Sequence, residues 1–278
     1  MASAKWTFAD PRAWLALRVM PPPMVARLLG ALTVGVLALL WWLATRGAAA
    51  EARWVSPVIL PSPADVFSSF GTLWNERALG ASIAATMRRV LLGFGLAALT
   101  GVPAGIAAGS WRVLDAAAAP VALFGRNVPV AALIPLTILW FGIDESQKVM
   151  FIFIACVPFV YSDAVRAIVS VPDRYVETAR TLGANPRQVV AKVLVPLALP
   201  DIYKSLRSLF GMAFGYIMLA ELINAEHGLG YLLSTSQRRG LSEHIILILL
   251  VIGVLAFAID RFLGWMQSGL FPYRSGGE

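Results

Sequence analysis

The chain has 278 residues, of which 58% are hydrophobic and only 14% charged. Soluble globular domains carry about one-quarter charged residues, so this composition excludes one and leaves an integral membrane protein, with room at about 20 residues per crossing for around five to seven helices in one membrane domain. The formal charge of +7 does not mark a nucleic-acid binder, because the basic residues sit in short islands beside apolar runs, without interleaved stacking aromatics; membrane orientation accounts for them.

Residues 1–27 carry Lys5, Arg12, Arg18 and Arg27 against Asp10 alone, and Pro21-Pro22-Pro23 stops any helix before the first apolar block. The basic excess keeps this end in the cytoplasm. The run from Leu28 to Ala44 is too long for a signal-peptide core, and Trp41-Trp42 is no cleavage site. It is read as the first crossing, with its tryptophans at the outer interface. Residues 28–80 thus comprise this helix and an extracytoplasmic segment. Ser62-Pro63-Ala64-Asp65 opens an amphipathic helix there, with Val66, Phe67, Phe70, Leu73 and Trp74 sharing a face at the interface.

The core membrane domain is read over 81–272. Arg88-Arg89 precede an apolar run to Ala108 whose glycines let helices approach closely, which places this crossing centrally. Arg112 and Asp115 mark an inner turn. The next crossing, about 117–141, holds Arg126, Pro129 and Pro135 and is expected to bend. Gly142 to Lys148 form the outer turn, and 149–170 return to the cytoplasm. Leu197 to Leu222 rises again, with Lys204 and Arg207 near its inner end and Glu221 near its outer end. The segment 244–268 is the last crossing, and 273–278 form a cytoplasmic tail. The fold class is all-α: a polytopic membrane protein with about six transmembrane helices and both termini in the cytoplasm.

Between the two central crossings lies a basic island, 172–196. Asp173 or Val171-Pro172 starts a first short helix, and Gly183 ends it in the left-handed conformation. Asn185 caps a second, with Pro186 at its first position. One side, with Val176, Ala179, Arg180 and Gly183, is small and partly apolar, while Asp173, Arg174 and Glu177 remain polar. Capping alone fits a plain connector as well as a surface for a partner to grip. The spacing is more specific. Glu177-Thr178-Ala179, three residues, Gly183, nine residues, then Val193-Leu194-Val195-Pro196 resembles the EAA loop of ABC importer permeases. It departs from that pattern at Thr178, Val193 and Val195.

Leu60-Pro61-Ser62-Pro63, Arg126 before Val128-Pro129, the 136–142 stretch LTILWFG, Gly211 to Glu221 and Gly228-Leu229-Gly230-Tyr231-Leu232 are similar to the sulfonate, taurine, nitrate and bicarbonate branch of that family. Phe214 stands where the family usually has Trp. The resemblance covers about 60–278. It implies a type I importer permease fold in a bacterial inner membrane, whose coupling helix (Glu177, Thr178, Ala179, Gly183, Asn185, Pro186, Pro196) docks in an ATPase cleft. It also implies two cytoplasmic ATP-binding subunits carrying ATP and Mg, an extracytoplasmic substrate-binding protein, a homodimer of this permease, and a small anionic solute.

No Gly-Lys dipeptide exists, so the chain has no P-loop, and no hydrolytic or paired-histidine zinc motif is present. His227 and His244 are too isolated for a metal site, and Cys156, the only cysteine, cannot form an intrachain disulfide. No catalytic residue, metal ligand or cofactor of its own is expected. Arg126, Pro129, Phe214 and Glu221 are the candidates for the translocation pathway or gate. Two readings stand for each charge: Glu221 lines the pathway or simply reaches water at a helix end, and Arg126 gates the pathway or snorkels to the inner face. The alternative class is an ion-coupled secondary transporter or channel working without an ATPase, which would keep ionisable groups at mid-membrane.

Overall fold

The computed structural model describes residues 21–47, 54–223 and 225–272. The basic segment through Arg18 and the 273–278 tail lie outside the described residues. Within them, all regular secondary structure is helical, and the chain divides after Ser68 into two units.

In the first unit, α1 spans Pro23–Ala44. It starts five residues before the apolar block because Pro23 occupies the first helical position, where its missing N–H costs nothing. Apolar side chains are exposed on all its faces, as suits a helix whose solvent is lipid. The Trp41 indole N–H donates to the Pro61 carbonyl at 3.0 Å. A second helix, α2 (Pro63–Ser68), opens on a reciprocal cap: the Ser62 hydroxyl donates to Asp65 at 2.7 Å and accepts from the Asp65 N–H.

The single amphipathic helix expected beyond Ser62 is two short ones, since α2 stops at Ser68 and α3 runs over Phe70–Asn75. Weak helix formers surround the break, namely Ser68, Ser69 and Gly71. Ser68 also turns its hydroxyl back onto the Asp65 carbonyl.

The second unit is built on α4 (Leu79–Ser110) against α7 (Glu145–Val169). A Cβ at Gly93 would lie 2.6 Å from the Val149 carbonyl oxygen, and one at Gly105 would lie 2.6 Å from that of Tyr161. The two backbones therefore touch, and the central placement expected of α4 is met. In the chain between them come α5 (Arg112–Asn127) and α6 (Leu133–Phe141), joined through a 3-10 turn at Val130–Ala132 and bent by 92° as a pair. Pro129 makes the break, forcing Val128 into an extended conformation with ψ 128°. Pro135 sits in the first turn of α6, where its lack of an N–H is harmless.

After α7 come α8 (Asp173–Thr181), α9 (Pro186–Val189), a π turn at Val190–Leu194, and α10 (Val195–Glu221). Then follow α11 (Leu229–Arg238) and α12 (Ser242–Leu270). By length and composition α1, α4, α7 and α12 can cross a membrane, and α5–α6 is a broken fifth span. Twenty-seven residues long, α10 has the reach of a crossing. Asp201, Lys204 and Arg207 make its first half too charged for the same description. Ala167, Ile168, Val171, Ala198 and Ile202 form a core cluster joining α7 to α10, with Leu194 and Val195 packed against it. The α8–α9 pair is thus flanked on both sides by helices that share this cluster.

Candidate functional site

The island between α7 and α10 folds as its punctuation dictates. At the end of α8, the Gly183 N–H donates to the Arg180 carbonyl at 2.9 Å and the Ala184 N–H to the Ala179 carbonyl at 3.0 Å. This is a Schellman cap, and it requires the left-handed φ of +84° that Gly183 adopts. Asn185 then caps α9 reciprocally with Gln188, each side chain accepting from the other's backbone N–H at 2.9 Å, and Pro186 begins the helix. The π turn follows because Pro196 has no N–H for the Lys192 carbonyl and its ring crowds that oxygen. The Val195 N–H reaches back to Val190, one residue further than an α-helix allows.

Glu177, Thr178, Gly183, Asn185, Pro186 and Pro196 are exposed, Ala179 is half-buried, and Leu182 is 83% exposed at the tip. A Cβ at Gly183 would meet nothing within 4 Å, so its glycine is demanded by backbone conformation and the space around it is open. Val176 and Arg180 turn the other way, into a cleft of about 410 Å³ shared with Val189 and the α4–α5 turn.

The four pathway candidates do not converge. Arg126, in the last turn of α5, places its guanidinium 5.3 Å from the Phe159 ring. It lines a cavity of about 510 Å³ with Asp115, Tyr161 and Ser162. Pro129 marks the bend beyond it. Phe214 lies on a separate cavity between α10 and α12. Glu221 is 0% exposed, so the reading in which it reaches water is overturned.

Glu221 belongs instead to a buried polar node at the end of the bundle opposite α8 and α9. The Thr86 hydroxyl donates to its carboxylate at 2.8 Å, the Gly230 N–H at 2.9 Å and Arg89 Nη1 at 2.7 Å. Arg89, 2% exposed, also donates from Nη1 to the His227 carbonyl at 2.7 Å and from Nε to Glu145 at 2.8 Å, with Nη2 on the other Glu145 oxygen. The Leu229 N–H in turn donates to the Thr86 hydroxyl at 2.9 Å.

One guanidinium thus joins α4, the start of α7, the end of α10 and the turn before α11. The glycines of Gly228-Leu229-Gly230 are explained by proximity. A Cβ at Gly228 would lie 2.5 Å from the Glu221 carboxyl carbon, and one at Gly230 would lie 2.7 Å from the Met218 carbonyl. Sequence reasoning singled out Glu221 and the glycines separately but missed Thr86 and gave Arg89 no role. The available signal was an arginine at the start of a long apolar span, which needs a counter-ion.

Apolar spans, one of them broken at Pro129, with charged residues lining cavities between helices, define a class: a polytopic membrane protein. The chain belongs to the family of binding-protein-dependent transport system inner membrane components, which matches residues 101–271. It is 31% identical over 246 residues to the taurine transport system permease protein of Escherichia coli K12, covering 87% of this chain and 88% of that one. A putative aliphatic sulfonates transport permease of Bacillus subtilis is 30% identical, covering 81% of each. The nitrate import permease of Synechococcus elongatus is 29% identical, covering 79% of this chain and 77% of that one. Among solved structures, the inward-facing MetNI methionine ABC transporter shares the fold at a TM-score of 0.62 and 20% identity, covering 72% of this chain and 98% of that chain. The chain is therefore an ABC importer permease.

Proposed function

We propose that this permease forms the passage for a small anionic solute of the sulfonate, taurine, nitrate or bicarbonate kind and is driven by separate ATP-binding subunits. An extracytoplasmic binding protein delivers the solute, two copies of the permease enclose the passage, and ATP and Mg act on two cytoplasmic partner chains. Both termini and the α8–α9 pair lie on the cytoplasmic side of the membrane. Relatives that carry taurine, sulfonates and nitrate in their names support the solute class.

One observation carries the coupling reading. The α8–α9 pair is doubly capped and runs directly into the π turn and α10, whose Leu194 and Val195 pack on the core, while Glu177, Thr178 and Leu182 stay exposed. A connector needs no such exposed apolar tip. Seated in a groove of the ATP-binding subunit, it transmits closure through a few close contacts.

The test is Gly183→Val and Glu177→Lys. Forcing a β-branched residue to φ +84° costs on the order of 1 kcal/mol or more, and charge reversal at position 177 opposes docking. Both variants are expected to insert and dimerise, yet lose co-purification of the ATP-binding subunit and solute-stimulated ATP turnover. If both properties survive in both variants, the pair is only a connector.

A further inference from the structure

Arg207 and Asp260 form an ion pair between α10 and α12. Sequence placed Arg207 near the inner end of its helix, but α10 begins at Val195 and ends at Glu221. At a helical rise of about 1.5 Å per residue, Arg207 stands about 18 Å from one end and about 21 Å from the other. Arg207 Nε and Nη2 each donate to one Asp260 oxygen at 2.6 Å, a two-pronged contact. Nη1 makes no hydrogen bond to the described residues. The guanidinium lies over Gly264, where a Cβ would come 2.7 Å from Nη1.

The pair is not sealed. The Asp260 side chain is 54% exposed, and both residues open on a cavity of about 410 Å³. Phe210, Phe214 and Phe257 wall it, and Ser208 contributes a hydroxyl. Ionisable groups within the helices of a membrane bundle are costly and are kept for pairing or for a pathway. The Arg207–Asp260 pair faces a cavity with an aromatic wall.

We propose that Arg207 is the anion-recognition group of the passage and Asp260 its resting counter-ion. An incoming solute with an oxyanion head and a small body takes the place of the Asp260 carboxylate on the guanidinium fork, which suits oxyanions of that shape. Its body rests on the phenylalanines, and the displaced Asp260, already half exposed, turns to water in the cavity. The inference rests on the importer reading above and adds to it the residue that holds the solute.

The experiment uses the permease assembled with its ATP-binding subunits and binding protein in proteoliposomes, with labelled taurine, methanesulfonate and nitrate as probes. Every variant is first checked for retention of its partner subunits. For the probe that the wild type carries, Arg207→Gln is expected to lower uptake about ten- to a hundredfold, the usual worth of a charge-assisted hydrogen bond. Asp260→Asn removes the competing carboxylate, so the KM for uptake should fall severalfold.

The doubly neutral Arg207→Gln/Asp260→Asn separates recognition from packing, because removing both charges is tolerated where the pair only holds helices together. Uptake that stays low in the double variant supports the proposal. Restored uptake overturns it, as does an Asp260→Asn KM that is unchanged or raised, or a wild type that carries none of the three probes. Uptake by the permease alone under a proton or sodium gradient would sink the importer reading instead, leaving the dependence on Arg207 to be judged by the same variants.

Discussion

Glu221 is a carboxylate with no exposed surface, held by a hydroxyl, a backbone N–H and a guanidinium. Such a charge is tolerable only while its donors stay. Arg89→Ala strands two carboxylates unequally. Glu145 is half exposed and remains solvated, whereas Glu221 is left without its cation. The expected loss is about 3–5 kcal/mol, read as a lower midpoint of thermal unfolding in detergent. Arg89→Lys keeps the charge but not the fork and should recover only part of it. What was legible here depended on distance along the chain. Gly183, Asn185 and Pro186 declare themselves because a cap is a local event spanning a few residues. Arg89 and Glu221 are 132 residues apart, and nothing in either neighbourhood names the other. Arg207 and Asp260, 53 apart, were missed for the same reason.

At the scale of elements, hydrophobic runs located the spans to within about five residues, except that α4 already begins at Leu79, well before Arg88-Arg89, and Pro129 announced the break between α5 and α6. The interruption at Ser69 and the π turn at Val190–Leu194 were not legible, since both depend on how neighbouring backbone groups find partners rather than on hydropathy. The α4–α7 contact offers a direct check. Gly105→Val would drive side-chain atoms into the Tyr161 carbonyl and the Ala164 methyl, and overpacking of this kind costs about 1–3 kcal/mol. Gly95, on the same helix, has open space where its Cβ would be, so Gly95→Val should change stability far less. Thermal midpoints of the two purified variants, compared side by side, test whether close approach of these two helices organises the bundle.

For the whole molecule, composition and run lengths were enough to give a helical membrane protein of about six spans, and the spacing within the 172–196 island pointed to the family. Its orientation is a prediction. With Cys156 replaced by Ala, a cysteine introduced at Ala184, which lies beside the exposed Gly183, should resist an impermeant thiol reagent in intact cells and react once the membrane is opened. Labelling of intact cells would place the α8–α9 pair on the outside and remove it from any contact with ATP-binding chains.

The node around Arg89 also constrains how the protein is made. Chains are synthesised at about 5–20 residues per second, so Arg89, 56 residues before Glu145 and 132 before Glu221, waits about 3–11 s for the first partner and about 7–26 s for the second. A guanidinium without a counter-ion is poorly tolerated in hydrocarbon. Glu145, reached first, is its provisional host, and the arrangement closes only when the turn carrying Gly228 and Gly230 emerges. The full set of contacts around Arg89 and Glu221 thus forms only once a loop near the far end of the chain has been made.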